Sequence, residues 1–165
     1  MARIRTKVIV LVIMAAALAS CGDAVKKNDL MVLQASAAKA YAEGDWRAAE
    51  KYFKTLTERV PEEGEFWFRL GNVYARLQRP EDAVAAYKEA LLRQNVKSKS
   101  WHNMGIVYLR QAANAFTQML TGMTPEDPLF ERATMLNDAV LKILNDIDTQ
   151  SAPAETPPVA TPELQ

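Results

Sequence analysis

One histidine and one cysteine are the residues of this chain best suited to chemistry, and neither has the partners that such chemistry needs. With 1 His and 1 Cys in 165 residues, an internal disulfide and the usual zinc sites cannot be assembled. His102 could act as a base, but a base needs an orienting carboxylate and a nucleophile. The nearby Ser98 and Ser100 are expected to cap the start of a helix. We predict no catalytic residue, no metal site and no cofactor, and therefore no enzyme.

Other chemical groups lead to the same prediction. The acidic pairs fall in turns and at a helix end, where solvated charge is expected: Glu62 with Glu63, and Asp146 with Asp148. A phosphate-binding loop needs clustered glycines, whereas the 6 glycines are scattered along the sequence: Gly22, Gly44, Gly64, Gly71, Gly105 and Gly122. Lys plus Arg and Asp plus Glu each number 20, so the chain lacks the basic field typical of nucleic-acid binding. We predict neither a nucleotide nor a nucleic acid as partner.

The N-terminal residues have the arrangement of a secretion signal. Arg3, Arg5 and Lys7 precede an uninterrupted apolar run over residues 8–18, which are the charged and apolar regions of such a signal. As a helix this run would span about 16 Å, against a hydrocarbon thickness of ~30 Å. We expect a cleaved signal over residues 1–20 and no permanent transmembrane helix.

The end of this run resembles the bacterial lipobox, with small residues before a cysteine: Leu18, Ala19, Ser20 and Cys21. The resemblance implies that the Cys21 thiol accepts diacylglycerol, and that the new N-terminus then receives a further acyl chain such as palmitate. Because each buried methylene contributes about 0.8 kcal/mol, two or more chains anchor a protein stably. The alternative is an ordinary cleavable signal beside the only Cys. In enterobacterial lipoproteins, which this segment resembles, an Asp directly after the Cys marks retention in the inner membrane. The resemblance therefore implies the outer membrane for Gly22, whereas Asp23 at the next position leaves the sorting open.

A period of 34 residues runs through the middle of the chain. Residues 31–120 show no strand-like alternation, and Gly and Pro punctuate helical segments. One set of residues recurs 34 positions later as a second set: Trp67, Leu70, Gly71 and Tyr74, then Trp101, Met104, Gly105 and Tyr108. Another set recurs 34 positions earlier: Ala83 and Tyr87 match Ala49 and Phe53. The pattern resembles the tetratricopeptide repeat (TPR) signature, W-x-x-L-G-x-x-Y followed by A-x-x-x-F.

This resemblance implies an all-α fold, a short TPR solenoid of about three helix pairs with the third degenerate. Small residues such as Gly71 and Gly105 would sit where helices cross, and Trp101 and Tyr108 would fill the space beside them. We predict repeats at about 30–63, 64–97 and 98–121, a capping helix at 128–148 begun by Asp127 and Pro128, a tether at 21–29, and a disordered Pro-rich tail at 149–165. An unrelated helical bundle with aromatic stripes is the alternative.

The third repeat departs from the pattern. Thr117 and Thr121 stand where Ala and Phe are expected. Its first helix either runs on or turns tightly near Ala112 and Asn114. The final helix carries apolar residues every 3 or 4 positions, and this stripe is expected to close the open end of the repeat array.

The resemblance further implies a ligand groove along the first helix of each repeat. Carried over, its positions are Gln34, Ala35, Ala38 and Tyr41; Phe68, Arg69, Asn72 and Arg76; and Lys99, His102, Asn103, Ile106 and Arg110. This set holds no acid, and it suits an extended peptide that bears carboxylates, because Arg pairs with carboxylates and Asn can hold a backbone. An ordinary solvated face is the alternative. Gln34 and Ala38 replace the Lys and Asn of the carboxylate clamp, so we predict no clamp.

Two functions follow from these features. The first is a non-enzymatic scaffold, anchored by lipid in the bacterial cell envelope and facing the periplasm, that binds a protein or peptide partner in a pilus, secretion or export machine. It would be similar to pilotin-type lipoproteins, tight-adherence pilus lipoproteins and the TPR lipoproteins of outer-membrane assembly. The alternative is a non-catalytic regulatory subunit of a periplasmic cell-wall enzyme. The identity of the copurifying protein separates the two.

Overall fold

The computed structural model describes residues 28–93 and 96–151, and these stretches contain six α-helices and no strand. They are α1 (residues 28–42), α2 (Trp46–Arg59), α3 (Gly64–Arg76), α4 (Pro80–Leu91), α5 (Lys97–Thr121) and α6 (Phe130–Ser151). The predicted all-α fold class is confirmed. The predicted signal, Cys21, residues 21–27 of the tether and residues 152–165 of the tail lie outside the described residues.

Short polar segments separate the first helices. Gly44 takes a positive φ of 71° after α1, a conformation that glycine adopts about as readily as a negative φ because it has no Cβ. The Asp45 carboxylate then accepts a hydrogen bond from the Ala48 backbone N–H at 3.0 Å and caps α2. Pro80 occupies the first turn of α4, as predicted, because its missing N–H would have no helical partner there.

The chain divides into two compact units between Met104 and Gly105. In the first unit, α3 crosses α4 at Gly71. A Cβ added to Gly71 would lie 2.5 Å from Cε1 of Tyr87, and Tyr87 is only 1% exposed. The predicted helix crossing at Gly71 is therefore present. The apolar core of this unit includes Ala37, Ala40, Ala49, Phe53, Leu56, Leu70, Val73, Ala83, Val84, Ala86, Ala90 and Val96.

The second unit contains residues 105–121 of α5 together with α6. Thr117 donates a hydrogen bond from Oγ1 to Asn137 Oδ1 at 3.2 Å, and Ala133 and Leu144 of α6 are buried. The helix begins two residues later than Pro128 and ends at Ser151 rather than 148, so residues 149–151 of the predicted tail are helical. The predicted apolar stripe is only partly buried, since Leu129 and Leu136 are exposed.

Helix α5 is continuous over 25 residues, so of the two alternatives for the third repeat the helix runs on. Trp101 is 61% exposed and Tyr108 is 45% exposed. No atom of the described residues lies within 4 Å of a Cβ added to Gly105. The predictions that Gly105 lies at a helix crossing and that Trp101 and Tyr108 fill space between helices are therefore wrong, because α5 does not turn back and supplies no second helix there.

Within the described stretches, every helix is too short or too polar to cross a membrane.

Candidate functional site

The predicted groove residues of the first unit occupy α1, α3 and the start of α5. Most of them gather into one interacting set, which we call the candidate face. Gln34, Ala35 and Ala38 are exposed on α1, outside this set. The candidate face consists of Tyr41, Glu65, Arg69, Asn72, Arg76, Lys99, His102 and Asn103.

Asn72 is the centre of the hydrogen-bond network in this face. Its Nδ2 donates to the Tyr41 hydroxyl at 3.2 Å, and its Oδ1 accepts from the Tyr87 hydroxyl at 2.8 Å and from Asn103 Nδ2 at 2.8 Å. The amide of one residue therefore links α1, α3, α4 and α5. Because buried polar groups are costly when unpaired, this network fixes the register of the four helices.

Tyr87 contributes a buried phenol to the network. Burial raises the pKa of Tyr87 from its usual value of 10.0 to about 12, since an ionised phenolate would lose its hydration. The hydroxyl therefore stays protonated and donates to Asn72 throughout the physiological range. The hydrogen bond from Tyr87 to Asn72 is therefore a constant part of the network.

Glu65 neutralises two cations that were predicted to bind carboxylates. Its carboxylate pairs with Arg69 Nε at 2.7 Å and with Lys99 Nζ. Partial burial alone would raise the pKa of Glu65, but the hydrogen bonds from Lys99 and Arg69 outweigh that effect and hold it below its usual value. The carried-over groove positions include no acid, but Glu65 lies beside them in the structure: it stands four residues before Arg69 and one repeat before Lys99. Those two spacings were the available signal.

Each of these two cations also lies against an aromatic ring. The Arg69 guanidinium lies 5.0 Å from the centre of the Tyr41 ring, and Lys99 Nζ lies 4.4 Å from that of Phe68. Phe68 is 8% exposed, so it belongs to the core under Lys99 and does not line an open groove as predicted. Cations held over rings and paired to an acid are partly satisfied already. They are poor anchors for a further carboxylate.

Arg76 differs from the other cations of the face. It is exposed at the end of α3, with its guanidinium 5.8 Å from the centre of the Trp46 ring. Among the residues that the structure describes, no carboxylate forms an ion pair with it. Arg76 is therefore the cation of the candidate face best placed to receive a carboxylate from a ligand.

Two predicted groove residues belong to the second unit. Ile106 is half-buried there, and Arg110 Nη2 pairs with Asp148 Oδ1 of α6 at 2.7 Å. The charge of Arg110 is thus used within its own unit. The structure does not assign either residue to the candidate face.

The candidate face shows hydrogen-bonding chemistry and no arrangement for catalysis. His102 is exposed, and its Nδ1 lies 3.1 Å from Asn103 Oδ1, an amide oxygen rather than a carboxylate. In the described part of the chain, no three His, Cys, Asp or Glu residues are grouped as metal ligands. Ser100, expected to act as a cap, is fully buried inside α5. Such a face can hold polar main-chain groups of a ligand.

Comparison with known proteins agrees with this architecture. Residues 32–97 match the tetratricopeptide repeat family model. The chain is also 34% identical over 91 residues to the general transcriptional corepressor ssn6 of Schizosaccharomyces pombe, a match that covers 51% of this chain and 8% of that protein. The similarity is thus confined to a small part of a much longer protein. Residues 32–97, which contain most of α1 and all of α2, α3 and α4, are therefore the part of the chain that is similar to tetratricopeptide repeats.

Proposed function

We propose that this protein is a non-enzymatic scaffold that binds an extended segment of a protein partner on the candidate face. The observation that supports this most directly is the fixed network around Asn72, which links the helices of the segment similar to tetratricopeptide repeats to the start of α5. Preorganised amides lower the entropic cost of holding a peptide backbone. The hydroxyl and amide groups of Tyr41 and Asn103 extend this polar surface on either side.

The charges of the face favour a ligand with one well-placed carboxylate over a strongly acidic one. Glu65 already occupies Arg69 and Lys99, and it would repel a second acid beside it. Arg76 is available at the other end of α3, next to the Trp46 ring. A segment with one acidic residue near Arg76 and neutral residues near Glu65 fits this distribution.

We further propose that the scaffold works in the bacterial cell envelope, anchored by lipid at Cys21 and assembling a pilus, secretion or export machine. This proposal is supported by the sequence alone, through the basic and apolar leader and the lipobox-like residues before Cys21. A short tether would keep the repeats near the membrane, within reach of other envelope proteins.

Site-specific crosslinking in cells tests the binding proposal. A photoreactive amino acid is introduced at His102 of the full chain, an exposed residue of the candidate face to which no ligand contact is assigned, and a matched control carries it at Arg47, which is exposed on α2. We expect position 102 to capture one defined protein that position 47 does not. A pilus, secretion or export component supports the proposed role. A cell-wall enzyme would favour the regulatory alternative, and equal capture at both positions would contradict binding on this face.

The anchor is tested separately. In the variant Cys21→Ser, we expect the protein to leave the membrane fraction and to lose labelling by a fatty-acid analogue, because the acyl-accepting thiol is gone. Unchanged membrane fractionation of this variant would refute the lipid anchor while leaving the peptide-binding proposal intact.

A further inference from the structure

Helix α5 repeats the pattern of residues by which α3 packs against α4, and we call this pattern the crossing signature. It is Trp, then Leu or Met, Gly and Tyr, at residues 67–74 of α3 and at residues 101–108 of α5. Among the described residues, no helix covers the signature on α5. On α3 the signature residues flank Gly71, and the Tyr87 ring of α4 fills the space above that glycine. On α5 the equivalent position is Gly105, and the space above it is open to the described residues. The flanking Trp101 and Tyr108 are exposed. The two helices therefore present the same surface in covered and uncovered forms.

The uncovered surface is a continuous apolar stripe. Trp101, Gly105 and Tyr108 are four and three residues apart on one uninterrupted helix, so they share a face. Ala112, Ala115 and Met119 continue the same face by the same spacing, and Met119 is also exposed. We call these six residues the α5 stripe. A stripe of this kind on a helix surface is typical of a site for a second helix.

We propose that the α5 stripe is the docking site of a helix from a partner protein, which completes the third repeat as α4 completes the second. The occupant has the chemistry of α4, a small residue followed four positions later by an aromatic ring and then by another small residue. In α4 these are Ala83, Tyr87 and Ala90, all buried against their own repeat. The partner ring lies over Gly105, between Trp101 and Tyr108.

Charge supports an acidic helix of this kind as the occupant. Helix α5 contains no Asp or Glu. Acidic residues at the sides of the partner helix would therefore meet no like charge on α5. Lys97 lies one turn before Trp101 on the stripe side and is exposed. Helix α4 itself carries Glu81 and Asp82 in its first turn. The α5 stripe shares no residue with the candidate face, and the inference does not depend on the peptide-binding proposal.

A peptide with the sequence of residues 79–92 serves as the probe, because it contains the whole of α4. The labelled peptide is titrated with the purified full chain and binding is followed by fluorescence anisotropy. We expect saturable binding, and its loss when the tyrosine of the peptide is replaced by alanine. Failure of the peptide to bind the full chain at all would overturn the proposal.

The substitution Gly105→Leu localises the binding. The leucine side chain fills the space above position 105, which is open, so we expect α5 to remain folded and the peptide affinity to fall at least tenfold. The matched control is Gly122→Leu, the same change at an exposed glycine beyond the end of α5, and it should bind as the parent does. Equal binding by Gly105→Leu would overturn the proposal, because the peptide would then be exchanging with α4 or binding elsewhere.

The oligomeric state distinguishes a partner helix from a second copy of this chain. Sedimentation of the full chain should give a monomer whose mass is unaffected by Gly105→Leu. Self-association that Gly105→Leu abolishes would show that another copy covers the α5 stripe, and would overturn the partner-helix proposal.

Discussion

Adding a single methyl group at Gly71 and at Gly105 should have opposite effects on stability. In a helix interior, Gly→Ala by itself stabilises by roughly 0.5–1 kcal/mol. At Gly71 the new Cβ would lie 2.5 Å from Cε1 and 2.6 Å from Cδ1 of Tyr87, about an ångström inside normal carbon–carbon contact. Tyr87 is fully buried and bonded to Asn72, so its ring has little freedom to move aside.

The expected magnitudes follow from these contacts. Overpacking of a tight core costs about 1–3 kcal/mol, and an overlap with two ring atoms belongs near the upper end. After the helix-propensity gain is subtracted, Gly71→Ala should lower the unfolding free energy by about 2 kcal/mol. Gly105→Ala meets no atom of the described residues within 4 Å, so only the propensity gain remains, roughly 0.5–1 kcal/mol.

Urea unfolding followed by far-ultraviolet circular dichroism measures both variants against the parent. With a slope of about 1–3 kcal/mol per molar urea, Gly71→Ala should lower its midpoint by roughly 1 M, and Gly105→Ala should raise its own slightly. A midpoint for Gly71→Ala at or above that of the parent would refute the close crossing of α3 and α4. An equal loss in both variants would show that Gly105 is covered as Gly71 is.

Three further predictions concern polar side chains that are buried or half-buried in the first unit. In chemical denaturation, Asn72→Ala should lower the unfolding free energy by about 2–3 kcal/mol, because it removes the hydrogen-bond partner of Tyr41, Tyr87 and Asn103. Asn103→Ala should lower it by about 1 kcal/mol, because it breaks only the bond to Asn72. The folded Tyr87 stays protonated up to pH about 12, whereas the unfolded phenol ionises near pH 10. The unfolding free energy should therefore fall as pH rises through this window, by up to about 3 kcal/mol. In urea titrations at pH 9 to 11, Tyr87→Phe should make this decline smaller. Ser100 Oγ is fully buried with no hydrogen-bond partner among the described residues. Ser100→Ala should therefore raise the unfolding free energy by about 1 kcal/mol and the melting temperature with it. A lower melting temperature would mean that the hydroxyl is hydrogen-bonded in the folded protein.

The resemblance to tetratricopeptide repeats, together with local turn residues, was enough to predict the helix pairs of the first unit. Pro80 begins α4 in the structure as in the prediction, and Gly71 lies at a helix crossing, as the resemblance implied, with Tyr87 as its neighbour. These features depend on backbone geometry and side-chain size within a repeat. They can be read from sequence because every repeat imposes the same requirement on the same position.

The charge of the candidate face could not be predicted from the carried-over groove positions alone. Arg69, Lys99 and Arg110 were expected to meet a ligand, yet each pairs with an acid of its own chain. The Glu65–Arg69 pair has the common spacing of helical ion pairs and was available in the sequence. The pair of Arg110 with Asp148 spans 38 residues and depends on how α6 packs beside α5, which no local pattern specifies.

The third repeat shows that the crossing signature can be present in the sequence where no second helix packs against it. Gly105 and Gly71 stand in the same sequence context, but a crossing exists only where the chain turns and returns a second helix over the glycine. After Tyr74 the chain reaches Gln78, in a left-handed conformation with φ of 58°, and then Pro80, which together end one helix and start another. After Tyr108 the chain continues through Gln111, Ala112 and residues of high helix propensity with neither Gly nor Pro until Gly122. The same signature is therefore covered on α3 and exposed on α5, and an exposed crossing signature marks a place where a helix from elsewhere can pack.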